Sequence, residues 1–288
     1  PPRGESRHQK HDRQGTPLRT WMVARMASFE ALGALVRPLY NFFATWKPSA
    51  SLIKRIVRFS ADRQIPTLSR FSMRKLVNRY SQSVISSGSQ SVISSGSQSV
   101  ISSEVEKSPS RKVYLFADEF TNHQEAELGL TFVKLLNRLG YRVEIPRHVE
   151  SGRAAISKGC LRLARKFAIK NVNLLKDLVS EDTPLVGIEP SCILSFRDEY
   201  PDLVPPDMRS EAKALGRNCL LFDEFLVREF QAGRISRDAF REVRADIWLH
   251  GHCHQKSLIG VGKSAEMLRM IPGATLPVGP GGGRGRAG

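Results

Sequence analysis

The sequence predicts an α/β protein with a mainly parallel sheet, helices on both faces, and a helical N-terminal arm ahead of it. Three observations carry that prediction. From Arg111 onward short apolar runs alternate with amphipathic stretches of 3.6-residue period. Before residue 80 only helical periodicity is found, broken by turns. Between the two lies a low-complexity tract. With 288 residues and 41% hydrophobic content the chain can bury a real core.

In the arm, residues 1–80, PLRTWMVARMASFEALGALV has apolar positions at helical spacing, Pro38 interrupts it, and SLIKRIVRFSADR resumes it. Such helices need a surface to lie on. With no strand among them, they read as an arm that packs on something outside this chain. Most of the net charge of +16 lies here, a pattern that suits a docking segment, then an anionic membrane surface, then nucleic acid. No recognised nucleic-acid fold accompanies the charge, so nucleic acid is disfavoured as a partner. No stretch approaches the roughly 20 apolar residues of a spanning helix, and the basic N-terminus lacks the apolar core of a signal peptide. The expected location is cytoplasmic, with the inner face of the cytoplasmic membrane as a peripheral docking surface.

Residues 81–110 contain SQSVISSG, SQSVISSG and SQSVISSE, one eight-residue unit three times over. Serine-rich repeats with short apolar pairs bury too little surface to offset ordering entropy, so a disordered linker is expected. Residues 111–288 then form the α/β domain. KVYLFA reads as a strand, QEAELGLTFVKLLNRLG as a helix closed by Gly140, and YRVEIP as a strand. A helix follows through SGRAAISKGCLRLARKFAIKNVNLLKDLV, then a buried strand PLVGIE. Helices continue through EAKALGRNCLLFDEFLVREFQAG, followed by a strand ADIWLHGH and a helix KSAEMLRMI. Strands separated by helices imply parallel pairing with right-handed crossovers. Ligands in such sheets lie in the crevice beyond the carboxyl ends of the strands.

Four polar clusters fall at those ends: DEFTNHQ from Asp118, HVESGR from His148 to Arg153, EPSC from Glu189 to Cys192, and HGHCHQK from His250. All four can converge. Candidate catalytic residues are His148, Glu150 and Arg153, since Arg binds carboxylates bidentately. An ion pair at a helix start is the structural alternative for Glu150 and Arg153. On an extended chain His250, His252 and His254 share one face and Cys253 the other; imidazole with thiolate suits zinc or iron better than magnesium. Cys160 and Cys219 lie in helical patterns and read as buried fillers. With no CxxC among its four cysteines the chain is not a disulfide scaffold.

At these clusters the sequence resembles a family. HDRQGTPLRT, RPLYNFF, VYLFADEFTN, LGYRVEIPRHVESGRAAISKG, EDTPLVGIEPSCILSFRDEYPDLV and LHGHCHQK are similar to the C-terminal region of FAD-linked D-2-hydroxyacid dehydrogenases of the D-lactate and glycolate type, and of the related iron–sulfur subunits. The resemblance implies a parent assembly in which an FAD domain oxidises the hydroxy acid. A ferredoxin-like segment with [4Fe-4S] clusters then passes electrons to a quinone or cytochrome. Neither a Gly-rich flavin-binding segment nor a CxxCxxC run is present, so the FAD domain and the ferredoxin-like segment are the implied partners. The family's cysteine-rich module would place its first Cys at Asp118, a CC pair at Glu150 and Ser151 before Gly152, and a CxxC at Glu189 and Cys192. Asp118 and Glu189 thus become the candidate cofactor-binding residues. Cys192, His250, His252, Cys253 and His254 are the candidate metal ligands.

Only Cys192 survives in the first half-site, and one thiolate cannot hold a cluster that takes about four. A polar pocket or a carboxylate-based metal site is expected there. The second half-site begins at Cys253 in the HxxCH pattern, but GGGRGRAG stands where the family writes a CC pair, pointing to truncation, a frameshift or divergence at the DNA level. The chain alone is expected to lack hydroxy-acid dehydrogenase activity. The alternatives are a metal-binding or docking module without activity, or a zinc-dependent hydrolase built on His250, His252, His254 and Glu189.

Overall fold

The computed structural model describes residues 3–86 and 111–277. Its centre is a four-stranded, all-parallel sheet of order β2-β1-β3-β4, with β1 Arg111–Leu115, β2 Tyr141–Glu144, β3 Leu185–Gly187 and β4 Cys219–Leu221. Strand periodicity explains why both faces are covered. On β1, Val113 and Leu115 enter one core with Val143 and Val186, while Tyr114 and Phe116 enter the other with Leu185, Cys219 and Leu221. A strand buried on both faces needs apolar residues at successive positions, and VYLF at 113–116 supplies them.

The first face is covered by α8 (Ala126–Arg138) and α14 (Phe222–Gln231), the second by α10 (Leu161–Leu175) and α13 (Arg209–Arg217). Short helices α7 (Glu119–His123), α9 (Arg153–Ser157), α11 (Pro190–Leu194) and α12 (Tyr200–Leu203) line the carboxyl ends of the strands. The long helix expected from Ser151 to Val179 is two, because Gly159 takes φ +72° and turns the chain between α9 and α10.

The fourth strand is not the one expected. ADIWLHGH contributes only β5, Ala245–Asp246, which pairs with β6, Ala274–Thr275, in a separate two-stranded sheet. Trp248 beyond it is 63% exposed. The main sheet is completed instead by Cys-Leu-Leu at 219–221, inside a stretch expected to be helical, so Cys219 is a strand residue and not a helix filler. A three-residue strand fused to helices on both sides has no periodicity of its own. Its buried pairing with β3 decides it. After β5 the chain forms α15 (Cys253–Leu258) and α16 (Gly262–Arg269), the latter packed on α14.

The arm comprises α1 (Arg3–Gln14), α2 (Leu18–Ala24), α3 (Met26–Gly33), α4 (Arg37–Thr45), α5 (Lys47–Val57) and α6 (Met73–Ser86). Its packing surface is this chain's own α/β domain, which corrects the expectation of an external one: α2 lies on α9, α3 on α7, α6 on α8 and α1 on α10. Met73 is fully buried against Gly129, where any Cβ would overlap its side chain. Gln124 donates to Glu30, and both Arg74 terminal nitrogens donate to the Pro146 carbonyl at 3.1 Å. The outer face still exposes Leu32, Leu35, Phe42, Trp46, Leu52 and Ile56. Helix α6 continues through Ser86 into the first repeat unit. The rest of the expected linker and the GGGRGRAG tail lie outside the described residues.

Gly187 ends β3 where the chain reverses into α11. A Cβ there would stand 2.5 Å from Ile193 Cβ, so Gly187→Ala is expected to cost about 1–3 kcal/mol through overpacking. Urea denaturation would measure the loss; an unchanged midpoint would show that α11 can move aside.

Candidate functional site at the carboxyl ends of the strands

The topological switch lies at β1, because the chain passes from β1 to β2 on one side and then crosses to β3 on the other. The crevice predicted for such a sheet is therefore at the ends of β1 and β3. Asp118 leaves β1 in extended conformation and caps α7, its Oδ1 accepting from the amides of Phe120 (3.0 Å) and Thr121 (2.9 Å) and its Oδ2 from the Thr121 hydroxyl. Glu119 turns the other way and accepts from Ser151 twice, from the hydroxyl at 2.6 Å and the amide at 3.1 Å. Glu189 leaves β3 and caps α11, accepting from the Ser191 hydroxyl and the Cys192 amide, both at 2.7 Å.

The loop after β2 is held from below. Asn171 on α10 accepts from the Val149 amide and donates to the Glu150 carbonyl and the Tyr200 hydroxyl; that hydroxyl donates to the Ser151 carbonyl at 2.9 Å. Tyr200 and Asn171 have no exposed surface. These two residues, with Glu119, are the part of the constellation that sequence reading missed. Glu119 stood beside Asp118 in the same cluster, whereas Asn171 sits mid-helix with no local signal.

Asp118, Glu119, Ser151, Glu189 and Cys192 thus converge, and the electrostatics follow from burial. Burial pushes the Asp118 carboxyl up to about 7, against the Thr121 hydrogen bonds and with help from Glu119 and Glu189. Burial also raises Glu119, opposed by the Ser151 hydrogen bonds. Cys192 is fully buried, and burial together with the three carboxyls pushes its thiol well above the ordinary range. It stays a thiol, an inert one by the criteria that make cysteines reactive.

The remaining candidates do not join this group. Glu150 faces the arm, accepting from the Ser28 hydroxyl at 3.0 Å. Arg153 is ion-paired with Glu199 at the start of α9. His148 packs against Phe116 with the rings tilted by 35° and their centroids 4.3 Å apart, its Nε2 accepting from the Ala117 amide and its Nδ1 within 2.9 Å of the Val149 carbonyl. Burial, with Arg74 nearby, drives it down to about 3. Both ring nitrogens are occupied by backbone and the ring is neutral, a structural geometry and not that of a proton shuttle.

The three histidines of HGHCHQK do not share a face, because the chain turns helical at Cys253. His250 is exposed, and His252 caps α15 with Nδ1 accepting from the His254 amide at 3.2 Å while its Nε2 stands 3.7 Å from Glu189. His254 turns towards Asp198 at 3.5 Å, and Cys253 is exposed. The hydrolase constellation is therefore not assembled around Glu189.

An iron–sulfur cluster does not fit the residues present. At the four positions where the resemblance implies cysteines before Cys192 stand Asp118, Glu150, Ser151 and Glu189. The oxygens of Asp118 and Glu119 are already taken by internal donors. Cys192 is protonated and enclosed, and Cys253 lies apart on an exposed turn. What the framework holds instead is a self-satisfied polar core.

Comparison with known proteins places the chain among dehydrogenase-related sequences. It is 25% identical over 245 residues to a D-2-hydroxyglutarate dehydrogenase of Escherichia coli, a match that covers 84% of this chain and 22% of that protein. It is 24% identical over 271 residues to one of the subunits of the anaerobic glycerol-3-phosphate dehydrogenase of Escherichia coli, covering 93% of this chain and 61% of that relative. To lactate utilization protein A of Bacillus subtilis it is 28% identical over 160 residues, covering 54% and 63%. The chain spans about a fifth of the length of the D-2-hydroxyglutarate dehydrogenases it matches. No family model and no solved structure matches it.

Proposed function

We propose that this chain is the docking module of a multi-component FAD-linked oxidoreductase that oxidises a D-2-hydroxy acid, contributing a folded surface and no redox centre of its own. The observation that carries the reading is the site itself: the parallel framework and its strand-end convergence are intact, while the converging groups are internally bonded carboxyls and a protonated thiol. The relatives support it, since one is named as a subunit of a dehydrogenase and others are dehydrogenases much longer than this chain. In the assembly, FAD belongs to a partner domain or subunit, a ferredoxin-like segment relays electrons, and a quinone or cytochrome receives them.

The arm would form part of the contact. It is basic, anchored to the domain by Ser28, Glu30 and Arg74, and apolar on its outer face. The same basic and apolar surface would serve a peripheral contact with the inner face of the cytoplasmic membrane. Among the described residues no helix is long and apolar enough to cross a membrane.

The test mixes the purified chain with the Escherichia coli D-2-hydroxyglutarate dehydrogenase from which the matching region has been deleted. Sedimentation reports complex formation, and dye reduction is followed with D-2-hydroxyglutarate, D-lactate and glycolate. The expected result is a defined complex with several-fold faster dye reduction than the deleted enzyme, and no turnover by the chain alone. Absence of any complex, or hydroxy-acid oxidation by the chain alone, would overturn the reading.

A further inference from the structure

Away from the Asp118 constellation, the turn between α11 and α12 carries Asp198 and Glu199, and His254 on the first turn of α15 faces them. One ligand-type atom from each of the three lies within 4.8 Å of the others, and among the described residues no other group of His, Cys, Asp and Glu does this. The His254 side chain is only 10% exposed, and its Nδ1 is buried without a hydrogen-bond partner. Glu199 likewise buries Oε2 without a partner, while its Oε1 is held by Arg153. Buried polar atoms are nearly always satisfied. An ion met by Nε2 leaves Nδ1 on the far side of the ring, so the orphan that points to a missing third party is Glu199 Oε2. It lies beside a nine-tenths-buried imidazole whose Nε2 has Asp198 Oδ2 no nearer than 3.5 Å.

We propose that Asp198, Glu199 and His254 bind a divalent first-row transition metal ion, zinc foremost, which ties α15 to the turn between α11 and α12. The distances suit an ion better than a hydrogen bond. His254 Nε2 and Asp198 Oδ2 are 3.5 Å apart, beyond the ordinary N–H···O range of about 2.7–3.2 Å. Two donors each about 2.0–2.1 Å from a tetrahedral zinc stand roughly 3.3–3.4 Å from one another. One imidazole and two carboxylates are a borderline-to-hard donor set, which takes zinc, manganese or ferrous ion and disfavours a thiolate-loving centre. Water would complete the shell on the side where Asp198 is open to solvent, at 46% exposure. Arg153 offsets the charge of one carboxylate and fixes Glu199 in place, the outer-sphere role that ligating carboxylates commonly require.

The position gives the ion a structural purpose. The segment from Ala245 to Ile259 has a two-residue strand, an exposed Trp248 and few buried side chains. Gln255, bonded to Asp223 at 3.0 Å, is its main polar anchor. A metal bridge through His254 would be a second anchor at the same helix.

The experiment uses the full chain, stripped with chelator and dialysed, and reads binding directly, so it does not depend on any partner protein. Titration with Zn2+ and with Co2+ is followed by calorimetry and by absorption. Expected are one equivalent of tightly bound zinc and a cobalt spectrum without a thiolate charge-transfer band. Affinity should fall at least about tenfold in both His254→Gln and Asp198→Asn, the loss typical of removing a ligand or its support, and should be unchanged in Cys253→Ser and His250→Ala. Asp198 is half exposed, so Asp198→Asn keeps the test valid if His254→Gln disturbs folding. No stoichiometric binding, a thiolate band, or loss of binding in Cys253→Ser would overturn the proposal.

Discussion

Tyr200→Ala is expected to lose about 3–5 kcal/mol of folding stability, the range for deleting a large buried aromatic. The ring has no exposed surface and sits 4.4 Å from Phe196, centroid to centroid. Its hydroxyl is the junction between α12, α10 and the loop after β2, donating to the Ser151 carbonyl and accepting from Asn171. Removing it opens a cavity and strands both partners. Tyr200→Phe keeps the ring and loses only the hydroxyl, which should cost about 1–3 kcal/mol. Urea denaturation followed by circular dichroism measures both. If Tyr200→Phe matches the native chain, the polar junction is not what holds the strand-end loop, and the convergence of Ser151 with Glu119 would need another cause.

The second large effect is a pH dependence located in one carboxyl. Asp118 has a folded-state pKa of about 7 because burial outweighs its hydrogen bonds, against about 3.9 when unfolded. A carboxyl raised on folding binds its proton more tightly in the native state. Its favourable contribution is therefore complete below about pH 4 and is lost as pH rises through about 7. Asp118→Asn should track the native protein at pH 4 and exceed it at pH 8 by about 2–4 kcal/mol. Asparagine preserves the cap, since its oxygen accepts from Phe120 and Thr121 while its amide donates to the reoriented Thr121 hydroxyl. Denaturation midpoints of both proteins across that interval decide it. A constant difference at every pH would mean that Asp118 titrates normally and that the strand-end core is wetter than its burial implies.

The strands β1 and β3 could be read from the sequence because each is a short apolar run, and β2 because Tyr141 and Val143 alternate with Arg142 and Glu144, all three with a helix-period stretch beside them. Val113 and Tyr114 then take opposite faces by the pleat alone. β4 could not, because Cys219 to Leu221 has helical neighbours on both sides and only its register with Leu185 to Gly187 makes it a strand. ADIWLHGH failed in the opposite sense: it has a strand's composition, but the place beside β3 is taken by β4. At the site, Asp118, Glu189 and Cys192 were legible because strand-end position fixes where such residues go. His148 and Glu150 were recognised as polar and near, but one residue of phase sends Glu150 to the arm and Ser151 inward. The alternation of His250, His252 and His254 holds for an extended chain only, and the turn into α15 removes it.

By itself, then, the sequence determined the class of fold, the helical nature of the arm, and the gathering of polar residues beyond the strand ends. All of these depend on local periodicity, which adjacent residues carry. Tertiary structure alone decided that the arm lies on its own domain, that β4 and not ADIWLHGH completes the sheet, and that His254 meets Asp198 and Glu199 from a distant part of the chain. Those outcomes are choices among competing partners for the same buried or polar surface, and no single segment contains the energies that settle them.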